Sequence, residues 1–178
     1  MTRFAEASVP SPLGPLRLVA TSRGLAYCGT KGERPERFAR WAARRLAGGE
    51  RVGSLPALAQ ASAELAEYFA GERRAFTVPL DQEGTPFQRA VWERLLAIPF
   101  GQTTTYARLA ADVGAPGAER AVGSANGANV ISIVVPCHRV LGSDGALTGY
   151  AGGMPAKARL LKLERAALQS KLTNVNKD

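Results

Sequence analysis

Cys137, His138 and Arg139 stand side by side after Pro136, and they are the residues best suited to chemistry in this chain. A thiol attacks as its thiolate, and a neighbouring imidazole or guanidinium favours that form. His138 is the only histidine present, and the other cysteine, Cys28, lies far away in sequence. The apolar run Ile131, Ile133, Val134, Val135 reads as a strand, and Pro136 fixes its own φ while pushing Val135 into extended conformation. Successive residues on a strand point to opposite faces. Contact between thiol and imidazole therefore requires a turn here, or a bridging water with a third group, usually a carboxylate, orienting the ring. The competing reading is a buried, inert cysteine beside a capping histidine, the commoner outcome for an arbitrary Cys-His pair. The stiff proline, the sole histidine, Arg139 and the Gly-rich sequel weigh against it.

The rest of the chain must hold these residues. Its 178 residues, 46% of them hydrophobic, suffice for a packed core of one domain or two small ones. The N-terminal part reads as strands over 4–9 and 16–20, with a third run from Leu25. Helices follow in PERFARWAARRLA and LPALAQASAELAEYFAG, and AFTVPL reads as another strand. From Thr85 the texture is helical. Thr85 is an N-cap before Pro86, and Phe87, Val91, Trp92, Leu95 and Leu96 mark one apolar face. Two short helices, TTTYARLAADVG and GAERAVGSANGAN, are joined by a Gly-containing turn. That is the layout of a helix-turn-helix or of an ordinary helical hairpin. The domains expected are residues 1–82 as support, 83–168 as the functional domain, and 169–178 as a disordered polar tail.

The formal charge of +8, from 23 basic and 15 acidic residues, suits nucleic acid or an acidic membrane face, and equally suits solubility alone. Two cysteines and one histidine argue against a disulfide scaffold and against a Cys/His zinc site. The chain shows neither a membrane-spanning apolar run nor a secretory signal at its N-terminus, which reads as a cytoplasmic, soluble protein.

PCHRV at 136–140 is similar to the active-site signature of the O6-alkylguanine-DNA alkyltransferases. The resemblance runs from Thr85 to Glu164 through TPFQRAVW, IPFGQTTTYARLA, ERAVGSANGAN, VVPCHRV, GYAGG and KARLLKLE, in the family's order. The N-terminal part resembles the family only in length and texture. The resemblance implies a fold with an α/β N-terminal domain carrying an antiparallel sheet, followed by a mainly helical, winged helix-turn-helix C-terminal domain.

It also implies roles. Cys137 accepts the alkyl group, His138 acts through a water as base, Glu164 orients the histidine, and Asn129 helps hold the site. Tyr106 sits near the extruded base and donates to guanine N3, a general-acid effect of roughly 10²–10⁴ in rate. Arg120 takes the space of the extruded nucleotide, since an atom inside a stacked duplex is out of reach. Ala121, Gly123, Ser124, Ala125 and Gly127 suit close approach of this helix to the DNA minor groove. Val140 reads the guanine edge through its backbone, and the loop with Tyr150, Ala151 and Gly152 closes over the base. The implied partner is double-stranded DNA carrying O6-alkylguanine, with O4-alkylthymine as a further lesion. The protein would be a monomer working once per molecule, without metal or organic cofactor.

The chain departs from some members in three ways. It lacks ligands for an N-terminal zinc and any extra cysteine-rich module, and Ala151 stands where some members have serine. Other classes consistent with parts of the pattern are a non-transferring sensor of alkyl lesions, a winged-helix DNA-binding protein and a cysteine hydrolase.

Overall fold

A computed structural model describes residues 1–175. The chain forms two compact units, residues 1–83 together with 130–134, and residues 84–129 together with the chain from 135 onward.

In the first unit, β1 (Arg3–Val9), β2 (Leu16–Thr21) and β3 (Gly24–Gly29) form an antiparallel meander. A two-residue strand, β4 (Glu50–Arg51), adds parallel to β1, giving the order β3-β2-β1-β4. Helices α1 (Pro35–Arg45) and α2 (Pro56–Phe69) each begin with proline after an extended residue, where the missing N–H costs no helical bond. Phe38 and Trp41 of α1 pack on Tyr27 with ring centroids 5.1 and 4.8 Å apart. Helix α2 lies against β1, β2 and β3 and buries Leu58, Ala61, Leu65 and Tyr68.

The segment AFTVPL forms no strand; its one sheet-like contact is a bridge between Leu80 and Leu25. Its backbone is claimed by a side chain instead. The Glu64 carboxylate accepts from the N–H groups of Thr77 (2.9 Å) and Val78 (3.2 Å). Pro79, which has no N–H, contributes only its carbonyl, to Leu25.

The run 131–135 is likewise a turn, not the strand its β-branched composition suggested. Within the first unit it is stitched to β3: Cys28 N–H donates to Val130 O and Ser132 N–H to Cys28 O, both at 2.9 Å. Ile133 has φ +73°, alone in that region among the described non-glycine residues. A β-branched residue there is strained by about 1–3 kcal/mol and persists only where its surroundings dictate it. Complete burial of Ile131 and Ile133 supplies that constraint.

The second unit comprises α3 (Pro86–Leu96), β5 (Thr104–Thr105), α4 (Tyr106–Asp112), α5 (Glu119–Ala128), a 3-10 turn (Cys137–Arg139), β6 (Val140–Leu141) and α6 (Met154–Val175). Thr85 and Gln88 form a reciprocal capping box at the start of α3. Val91, Trp92 and Leu95 are buried, whereas Leu96, expected on the same apolar face, is 48% exposed. The Trp92 indole donates to Ala125 O (2.9 Å) and ties α3 to α5. Strands β5 and β6 pair in parallel. Helix α6 runs through 169–175, where the polar composition predicts a disordered tail; 176–178 lie outside the described residues.

Removing the carboxylate at position 64 leaves the Thr77 and Val78 N–H groups without an acceptor. We expect Glu64→Ala to lower unfolding stability by about 2–4 kcal/mol in urea titrations. A loss within error of zero would contradict the role given to this side chain.

Candidate active site

Cys137 opens the 3-10 turn, so thiol and imidazole are not carried to opposite faces as strand neighbours would be. The turn begins just after chain re-enters the second unit at Val135. Asn129, where the chain leaves that unit, donates its amide Nδ2 to Val135 O (3.0 Å) and so cinches the two ends of the excursion. Asn126, in the last turn of α5 and 4% exposed, donates to the carbonyl of Cys137 itself at 3.4 Å.

His138 is fully buried, and its Nε2 lies 2.8 Å from Glu164 Oε1 on α6. Burial alone would raise the Glu164 pKa, but the hydrogen bonds and charges of His138 and Arg139 overcome it and bring the value down to about 2. An ionised carboxylate only accepts, so Nε2 carries the hydrogen and Nδ1 presents a lone pair. That Nδ1 is buried and has no hydrogen-bond partner in the protein. Burial also lowers the His138 pKa, with the charges of Arg139 and Lys157 acting in the same direction and Glu164 opposing. The imidazole is therefore a neutral base at rest.

Arg139 is not directed to the thiol. Its guanidinium grips Glu164 through Nη2 (2.9 Å) and Nε (3.1 Å), and Nη1 donates to Ile98 O (2.7 Å). Gly101 N–H completes the cradle at 3.0 Å from Glu164 Oε2. Gly101 needs to be glycine: its φ is +78°, and a Cβ would sit 2.2 Å from Leu168 Cδ1.

Tyr106, first residue of α4, donates its hydroxyl to Thr148 O (3.2 Å). Burial raises its pKa, and the charge of Cys137 adds to that, while hydrogen bonds with Thr148 and Asn126 pull the other way. The phenol thus keeps its proton at neutral pH. A Cβ on Gly123 would meet the Tyr106 ring at 3.8 Å, which places α5 directly beneath that ring. Val140 is buried in β6, Gly152 is buried, and Tyr150 and Ala151 are half-buried in the loop before α6. On α5, Arg120, Ala121 and Ser124 are exposed along one face, and Gly123 is half-buried.

Cys137, His138, Arg139, Glu164, Asn129 and Tyr106 thus belong to one unit, while Arg120, Ala121 and Ser124 form a solvent-facing strip on α5. Reasoning from sequence missed Asn126, the partnership of Arg139 with Glu164, and Lys157. Lys157 lies seven residues before Glu164, two helical turns along one face of α6, and its burial is the signal that only the fold supplies. Cys137 itself is 4% exposed. Among the described residues, no group of three or more His, Cys, Asp or Glu side chains could hold a metal ion.

The first unit is α/β with a mainly antiparallel sheet, and the second is helical, with Cys137 preceding the His138–Glu164 pair and with two successive short helices, α4 and α5. Residues 86–166 match the family model of the 6-O-methylguanine DNA methyltransferase DNA binding domain, and residues 5–82 that of its ribonuclease-like domain. The inducible methylated-DNA–protein-cysteine methyltransferase of Bacillus subtilis is 44% identical over 150 residues, covering 84% of each chain. The methylated-DNA–protein-cysteine methyltransferase of Methanosarcina acetivorans is 46% identical over 156 residues, covering 86% of this chain and 94% of that one. The crystal structure of Mycobacterium tuberculosis OGT in complex with DNA superposes with a TM-score of 0.79 at 41% identity, covering 93% of this chain and 94% of that one. The chain belongs to the 6-O-methylguanine DNA methyltransferase family.

The buried pair sets a pH dependence of stability. Unfolding restores His138 to its ordinary proton affinity near 6.5 and Glu164 to about 4.5, both above their folded values. The unfolded chain then binds more protons, so stability falls as pH drops below 6.5 and falls further between 4.5 and about 2. We expect urea midpoints to follow this course and Glu164→Gln to flatten the lower limb. A midpoint constant from pH 7 to 4 would contradict a neutral, buried histidine.

Proposed function

We propose that this protein repairs DNA by direct reversal, moving the alkyl group of O6-alkylguanine onto Cys137 Sγ in a single turnover. The observation that carries this reading is the buried His138, next to Cys137 in the 3-10 turn, whose Nε2–H is fixed by ionised Glu164 and whose Nδ1 is left as an acceptor. Through one water, Nδ1 takes the Cys137 proton. The thiolate attacks the alkyl carbon in line, the S–C bond forms as the C–O6 bond breaks, and the electron pair stays with the purine. Tyr106 donates to N3, so guanine leaves neutral. The thioether formed is a poor leaving group, so the protein works once per molecule. O4-alkylthymine offers the same ether chemistry.

The solvent-facing strip of α5 supports binding in the minor groove; the protein would act as a monomer. Ala121 and Ser124 allow close approach to the backbone, and Arg120 fills the stack after the nucleotide is extruded. Val140, Tyr150, Ala151 and Gly152 would receive the extruded base. Among the described residues no helix is long and apolar enough to cross a membrane, in keeping with a cytoplasmic role on DNA.

Incubation with a methylated duplex is expected to add one methyl group to the Cys137 peptide by mass spectrometry, at one equivalent per protein. His138→Gln should slow transfer by roughly 10²–10⁴. An intact lesion with unmodified Cys137 would overturn the reading. For extrusion, Arg120→Ala is expected to slow repair of duplex far more than reaction with free O6-methylguanine, and equal losses on both would contradict that role. Duplex affinity should fall steeply with added salt as counterions are displaced.

A further inference from the structure

Strand alternation in the first unit sets two cross-strand rows on one side of the meander. Ser8, Arg17 and Gly29 form one row, and Glu6, Val19 and Tyr27 form the next, two residues along each strand. Helix α1 covers the second row, where Phe38 and Trp41 pack on Tyr27. The first row stays open and borders a cavity of about 400 Å³, with Pro15, Pro35 and Phe38 among its walls. That volume suits a small molecule. The cavity lies wholly within the first unit, whereas Cys137 belongs to the second.

Four cations, Arg17, Lys31, Arg34 and Arg51, and two carboxylates, Glu6 and Glu33, line this cavity. Both acids are already answered by protein groups. Glu6 stands between Arg17 Nε (3.3 Å) and Arg51 Nη2 (3.8 Å). Glu33 is drawn inward: the Tyr27 hydroxyl donates to its Oε2 (2.6 Å), its Oε1 lies 3.8 Å from Arg37 Nε, and its side chain is 7% exposed. Gly29 makes that seat possible, since a Cβ there would stand 2.5 Å from Tyr27 Cε1 and 2.8 Å from Glu33 Oε2. Lys31 and Arg34 are exposed, and among the described residues neither enters an ion pair. The Lys31 stem lies against the turn at Gly14, where a Cβ would come within 3.2 Å of Lys31 Cδ. The opening is therefore positive, and that charge is not taken up by protein partners.

The cavity also offers a flat surface. The Arg17 guanidinium lies over the Phe38 ring, 4.1 Å from its centroid. A guanidinium laid on one ring leaves its other face for a second planar group. Cations for an oxyanion beside a platform for a heterocycle are what a mononucleotide requires. We propose that this cavity binds a nucleoside monophosphate, with Lys31 and Arg34 on the phosphate and the heterocycle against the Arg17–Phe38 stack. No bond is made or broken there, and the site does not depend on alkyl transfer to Cys137.

Titration of the wild-type protein with adenosine monophosphate, followed by nitrogen-15 amide shifts, tests the assignment. Saturable shifts are expected at Gly29, Lys31 and Phe38. Adenosine and inorganic phosphate each carry half of the ligand, and each should bind about tenfold or more weakly than the nucleotide. The paired change Lys31→Ala and Arg34→Ala is expected to weaken nucleotide binding about tenfold or more. Both side chains are exposed, so the fold is not at stake. Lys31→Arg with Arg34→Lys keeps the charge and should hold the affinity within about threefold. Shifts that do not saturate, or that fall on α5, would overturn the proposal. Phosphate binding as tightly as the nucleotide would reveal a bare anion site and overturn it too. Duplex DNA is titrated in parallel: an alanine pair that weakens duplex binding and leaves the nucleotide unmoved would assign these cations to the DNA backbone and sink the proposal.

Discussion

A carboxylate sealed from water is stable as an anion only if its oxygens are fully engaged, and Glu164 meets that condition. It receives His138, both faces of the Arg139 fork and the Gly101 amide. Much of the second unit follows from satisfying this one charge. Gly101 must adopt a left-handed turn to aim its N–H, Arg139 must turn inward, and the histidine must adopt the tautomer that donates from Nε2. The consequence for chemistry lies across the ring, where the buried Nδ1 is left with a lone pair and becomes the base. Removing the anion would leave a buried cation and a misdirected imidazole together, which is why such networks fail as a whole.

The segment that leads into the nucleophile is tightly constrained. The chain leaves the second unit at Asn129, passes through the first, and returns at Val135. Both ends of that excursion are fixed, by the Asn129 amide on Val135 O and by the β3 backbone on 130–132. Ile133 pays for the tight return with a left-handed φ.

Local signals were legible where the physics is local. Thr85 and Pro86 marked the start of α3, and the Gly114 turn separated α4 from α5. The strands β1 to β3 followed from alternation and Gly/Pro punctuation. Composition misled where a tertiary partner outbid the sheet: Glu64 captured the backbone at Thr77 and Val78, and the β-branched run before Cys137 folded as a turn because β3 could register only part of it. Leu96 broke the expected apolar stripe because three neighbours already filled the face of α3 that is covered. In the site, Cys137 and His138 stood out by adjacency. Arg139, Asn126 and Lys157 did not, since a long cationic or amide side chain acquires its meaning from carbonyls and carboxylates many residues away.

The state of the His138 ring is the most direct test of this arrangement. Nitrogen-15 NMR of the single imidazole reports which nitrogen carries hydrogen and where the ring titrates. A neutral ring with hydrogen on Nε2, persisting well below pH 6.5 and lost in Glu164→Gln, is the expected result. A ring that titrates near 6.5, or that carries its hydrogen on Nδ1, would contradict the base assigned to this site.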